Sequence, residues 1–255
     1  MTRILNNFNA ILLGTATVVF TSTTIRAQDA PPVSSFAAPD VLIAEITDLA
    51  DKTKESVATE KSYDAATARV EKDAATLAAL AVAVGLHDQD NALKSAAPAL
   101  LHAARKLAEC DNQADASAAF VEVEAALKSG AGEQDDPSWD EPAAAIQSLM
   151  KQVTYLNTQV RRSIRSGKIR RPESVASSAT VLAVLGQAIV CDGDDWASDD
   201  EQLAAWETMA AEMRGAAVAL RDAALANDGA AADAAKDRVE QSCKTCHDAF
   251  DIDET

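Results

Sequence analysis

The sequence is poor in glycine, in basic charge and in the groupings that usually carry enzymatic chemistry. Glycine occurs 9 times in 255 residues and never as a phosphate-cradling loop, which excludes the common nucleotide-binding motifs. β-Branched residues do not alternate with polar ones, so sheets are not expected. Lysine and arginine number 23 against 40 aspartates and glutamates, a formal net charge of −17. So acidic a chain repels nucleic-acid phosphates and is steered toward cationic partner surfaces. There are 3 histidines, with no Ser/His/Asp grouping and no convincing carboxylate pair, so no enzyme is expected. The N-terminal stretch Ile11 to Phe20 follows Arg3, is too short for a membrane span, and fits the core of a secretory signal peptide. Cleavage is expected after Ala27, making residues 1–27 the signal. The mature chain is then without a membrane span and resides in the periplasm or an equivalent extracytoplasmic compartment.

Alanine-rich segments with apolar residues at helical spacing fill the rest, which predicts an all-α chain of eight helices. In the second half, one helix covers about Ala143 to Arg165 and carries the stripe Ile146, Leu149, Met150, Val153, Leu156, Val160 and Ile164. The next starts at Pro172. The third carries Leu203, Trp206, Met209, Met213, Ala217 and Leu220, and the last starts near Asp228-Gly229. Four amphipathic helices on short connections predict an antiparallel four-helix bundle.

The last helix ends in Cys243-Lys244-Thr245-Cys246-His247-Asp248-Ala249-Phe250. Cys-x-x-Cys-His is the attachment pattern of a c-type haem. Two thiols at this spacing reach the two vinyl groups of one porphyrin, and the following imidazole serves as axial iron ligand. The same cysteine spacing also serves redox pairs and zinc sites. A zinc site needs two more ligands, and the chain has no second Cys-x-x-Cys and no His-x-x-x-His. Haem c, one per chain, is therefore expected on Cys243 and Cys246, with His247 on the iron. Cys110 and Cys191 remain, and an exported protein tolerates a bridge between them.

The first half repeats the second at fixed offsets. Thr76 to Leu80 lies over Thr180 to Val184, and carrying that offset back sets the helix around Ile46 over the one around Met150. Val123 to Gly130 lies over Val239 to Cys246, with the extra residues assigned to the acidic loop Cys191 to Glu201. Leu127, Gly130 and Ala131 then stand where the cysteines and histidine stand. The expected organisation is a flexible lead-in (28–39), a haemless bundle (40–131), a linker (132–142) and a haem-binding bundle (143–255).

A haem motif closing the fourth helix of a bundle resembles the cytochrome c′ family, the class II c-type cytochromes. The resemblance rests on Cys243 to Phe250, with weaker support from Leu149-Met150-Lys151 and Ser166-Gly167-Lys168. It implies two tandem antiparallel four-helix bundles, the second cytochrome c′-like. It also implies that Met150 lies at or beside the distal face of the iron, as a sixth ligand or beside Leu149 as an apolar lid. The ligated arrangement implies electron transfer with a redox partner protein. The open one implies capture of a small gas, nitric oxide or carbon monoxide. A third reading makes the haem structural and the first bundle a docking module. The resemblance further implies a homodimer, or pairing of the two bundles within one chain. Ile146 and Asp251 depart from the family's usual basic residues. His87 and His102 are read as lying on helix surfaces of the haemless half.

Overall fold

The computed structural model describes residues 30–252. The expected signal segment 1–27 lies outside the described residues. Those residues are almost entirely helical, with eight helices of twelve residues or more, two single-turn helices and one minimal hairpin. Helix α1 (Pro39–Val57) has proline at its first turn, where the missing N–H costs nothing. A capped turn, α2 (Glu60–Asp64), follows, then α3 (Thr67–Gly85), α4 (Ala97–Ala108) and α5 (Gln113–Ser129). The second half comprises α6 (Ile146–Ser163), the strands β1 (Ile164–Arg165) and β2 (Lys168–Ile169), α7 (Pro172–Ala188), the turn α8 (Gly193–Trp196), α9 (Asp200–Leu225) and α10 (Gly229–Ala249).

In the first half, α3 packs on α1 and α4, and α5 on α1 and α4. In the second, α7 packs on α6 and α9, and α10 on α9 and, more sparsely, on α6. The halves are also joined to each other. Helix α3 packs on both α6 and α7, and α1 packs on α7, so one hydrophobic core runs through both. Every residue from Ala74 to Val84 is fully buried, and so, nearly, is every residue from Ala179 to Ala188. These central stretches are rich in alanine because helices packed on several sides leave little room for longer side chains. Gly186 shows the limit. A Cβ there would stand 3.0 Å from the backbone nitrogen of Arg214 on α9.

Polar contacts fix the register between halves. Glu71 of α3 accepts from Ser148 (2.5 Å) and from Lys151 (2.9 Å) of α6. Lys72 donates to Gln152 (2.5 Å) and lies 4.4 Å from the centre of the Tyr155 ring. The segment between the halves is strapped down as well. Arg105 donates to the Ala143 and Pro142 carbonyls and pairs with Asp135 at 2.9 Å, while Trp139 is buried.

Several details differ from the sequence reading. The lead-in carries a 3-10 turn, Val33–Ser35, and Val33, Phe36 and Ala37 are core residues. Arg221 donates to the Phe36 carbonyl at 2.7 Å, because the turn plugs the gap between α3 and α9. His87 is not on a helix surface. It is wholly buried, within 3.1 Å of the Ala37 carbonyl. His102 is half-buried beside Asp135. Cys110 and Cys191 are free thiols. Connections 86–96 and 189–199 have equal length, and α9 has 26 residues where α4 has 12. One stretch, Pro172–Trp196, is long and apolar enough to cross a membrane (mean hydropathy 1.8), but 72% of that window is buried in the core.

Candidate haem site

Three elements frame the Cys-x-x-Cys-His motif. Helix α10 begins with Asp228, whose carboxylate accepts from the backbone of Ala230 and Ala231 and satisfies two free N–H groups. It then buries Ala232, Ala235, Val239 and Ser242 at intervals of three and four. Cys243, Cys246 and His247 follow in the last two turns, all half-buried. Helix α6 runs antiparallel beside it. The hairpin after α6 packs on the start of α10, with Gly229 against the Gly167 carbonyl, so the first turns of α6 flank the motif. The third element is the start of α9 with its preceding turn. Trp206 donates to the Ile189 carbonyl at 2.8 Å, stacks on Trp196 and meets Phe250 edge-on at 5.1 Å. This aromatic chain holds the end of α10 and fills the room created by the long α9.

Helical geometry decides which α6 residues face the motif. Arg161 approaches Glu240 of α10 to 3.3 Å, which marks the flank of α6 turned toward α10. Met150 lies eleven residues earlier, within about 20° of that line at roughly 100° per residue, and Asn157 shares the flank. Leu149 lies about 120° away from Arg161 by the same count and is fully buried, on the side of α7 and the core. Met150 is half-buried and packs at the edge of the core. By this count Met150, rather than Leu149, shares the flank of α6 that Arg161 marks.

Three observations bear on whether these residues fit a porphyrin. The seam between α6 and α10 is the least closed of the second half, whereas α9 packs closely on both α7 and α10. Five buried side-chain atoms among the described residues lack a hydrogen-bond partner; Glu240 Oε1 is ion-paired with Arg161, and of the other four, three belong to this region: Asn157 Oδ1, Asp192 Oδ2 and His247 Nδ1. Buried polar groups are normally satisfied, so their concentration here points to a polar group still to be accommodated. Third, burial pushes the Cys246 thiol up to about 11, with the Cys243 thiol adding to the effect. Thiols of redox pairs are shifted the other way, toward the thiolate. A buried, protonated thiol instead suits conversion to an uncharged thioether. No group of three or more His, Cys, Asp or Glu side chains able to hold a bare metal ion occurs among the described residues. The residues fit a haem.

At the open end of the seam lies a cleft of about 380 Å³ between the first turn of α6 and the α7–α9 connection, lined in part by Ala145, Ile146, Asp192 and Trp196. Burial, with Asp195 nearby, raises the Asp192 carboxyl to about 7. Sequence reasoning passed over Asp192 as one acid in an acidic loop. Its only signal was the uncharged run Ile189-Val190-Cys191 just before it.

Residues 198–251, which contain α9 and α10, match the family model of cytochrome c′. No curated protein and no solved structure matches the chain. The C-terminal region is thus similar to cytochrome c′.

Proposed function

We propose that this is an exported electron-transfer protein carrying one covalent haem c. Cys243 and Cys246 would hold the porphyrin through thioethers, with His247 on one face of the iron and Met150 on the other. The observation that carries the reading is His247, half-buried beside Cys243 and Cys246 with its Nδ1 buried and lacking a hydrogen-bond partner. Bound there, haem supplies a one-electron ferric/ferrous couple. The chain's own part is to hold His247 on the rigid end of α10, to exclude water with Val153, Leu156 and Val239, and to offer a thioether sulfur that favours the ferrous state. The exposed acids beside the motif, among them Asp194, Asp195, Asp248 and Asp251, suit a redox partner with a cationic docking surface.

The reading extends to the whole chain as an internal duplication. The caps Asn112 and Asp228 stand 116 residues apart, as do the buried sets Ala116, Ala119, Val123, Ala126 and Ala232, Ala235, Val239, Ser242. Thr76 and Thr180 make the same bond to the carbonyl four residues back. In the first helices, burial aligns Leu42, Ile46 and Leu49 with Leu149, Val153 and Leu156, so Ile43, three places earlier than the ungapped offset implies, corresponds to Met150. Helix α5 stops at Ser129 with Gly130 in the left-handed region (φ +65°), while α10 runs on through the motif. The first copy thus ends before its histidine position. The proposed pairing α3 with α6, α1 with α7 and α3 with α7 is reciprocal, like the interface of a symmetric dimer made within one chain.

The test is direct. Mature protein is denatured, extracted with acidified organic solvent and weighed. The mass of one haem should stay with the polypeptide and be lost when Cys243 and Cys246 are both replaced by alanine. Complete extraction of haem from the wild-type chain would refute the proposal.

A further inference from the structure

In a chain of net charge −17, the turn from α6 to α7 collects six cations within eleven residues: Arg161, Arg162, Arg165, Lys168, Arg170 and Arg171. All six are exposed, and among the described residues only Arg161 has an acidic partner. The hairpin displays them by design of its register. Ile164 pairs with Ile169, one buried and the other half-buried, which turns Arg165 and Lys168 outward directly opposite each other. Like charges so placed repel and destabilise a strand pair. Arg171 adds a second cost, sitting at φ +60°, where residues with a Cβ are strained. Nearby acids are fewer than the cations: Glu173 is exposed two residues beyond Arg171. Asp228 caps α10, and Asp222 is paired with Arg221 at 2.8 Å. Beside this cluster, at the end of α9, Leu225 is 65% exposed, the most exposed of the large apolar side chains.

We infer that this end of the molecule is a docking surface for an anionic phospholipid membrane. The cations would meet lipid phosphates, which the planar guanidinium groups bind well, and Leu225 would enter the boundary with the acyl chains. An exposed leucine beside the cations suits a lipid boundary, which offers phosphate charge and apolar contact together. The acids of the chain do not cancel the attraction. Asp194, Asp195, Asp199, Asp200 and Glu201 sit around the start of α9, roughly 39 Å from its other end, several times the screening length of about 8 Å in physiological salt. The Cys-x-x-Cys-His end of α10 would then point away from the bilayer, toward soluble partners. The inference stands on the charge distribution and does not depend on the haem.

The experiment sediments the mature protein with vesicles of phosphatidylcholine alone or mixed with phosphatidylglycerol. The protein should sediment with the mixed vesicles at low salt and be released as salt rises. Each cation replaced by glutamine should weaken the partition about fivefold. The Arg165→Gln/Lys168→Gln pair should bind weakly, and the variant also carrying Arg162→Gln, Arg170→Gln and Arg171→Gln should stay in the supernatant. Leu225→Ser should weaken binding without altering its salt dependence. Failure of the wild-type protein to sediment, equal sedimentation with both vesicles, or undiminished binding by the five-residue variant overturns the inference. So does capture on polyglutamate beads without vesicle binding.

Discussion

Met150 and Asp192 are the two residues whose surroundings define the site most sharply. Met150 shares the flank of α6 that Arg161 marks, and under the proposed function its thioether would ligate the iron that His247 holds. Replacing Met150 with alanine should convert a low-spin absorption spectrum into a high-spin one and let carbon monoxide bind after reduction. An unchanged spectrum would remove Met150 from the iron. Asp192 is buried, and its carboxyl is raised to about 7, so the folded state holds a proton that the unfolded chain releases near pH 4. That contribution to stability is complete below about pH 4 and is lost as pH rises toward 7, by up to about 1.4 kcal/mol per unit. Asp192→Asn should therefore unfold at a higher denaturant concentration than wild type at pH 8, with the difference closing near pH 4. A constant difference across that range would show that the carboxyl does not titrate there.

Among the elements, α7 and α9 are held closest. The Cβ of an alanine at Gly186 would press on backbone atoms of α9, 3.0 Å from Arg214 N and 3.3 Å from Ala210 O, and backbone cannot rotate away as a side chain can. Gly186→Ala should cost about 1–3 kcal/mol, read from thermal or denaturant unfolding. An alanine at Gly215, where nothing lies within 4 Å, is the control and should be neutral or mildly stabilising. The extra turns of α9 matter for a different reason. They carry Trp206 to the end of α10, where its ring closes on Phe250 and steadies the turn after His247.

For the molecule as a whole, the shared core makes the two halves interdependent. Helix α7 is buried from Ala179 to Ala188 only because α3 and α1 cover the side that α6 and α9 leave open. A fragment of residues 143–255 should therefore expose an apolar face and self-associate, with α6 and α7 at the contact, while the full chain stays monomeric under the same conditions. Sedimentation velocity distinguishes the two. A monomeric, fully helical fragment would mean that the halves fold independently.

The sequence by itself determined the eight long helices, the start of α10 at Asp228-Gly229 and the spacing of Cys243, Cys246 and His247. Those features are local, written in helical periodicity, capping residues and covalent chemistry. Periodicity also marked which residues are buried, but it could not say against what. Only the tertiary structure separated Met150, half-buried, from Leu149, fully buried, two neighbours on one apolar stripe. It likewise packed Phe36 and His87 inside and ran one core through both halves. Each of these depends on which surface meets which across long stretches of chain, and a burial pattern repeated along similar alanine-rich helices fits several such partners equally well.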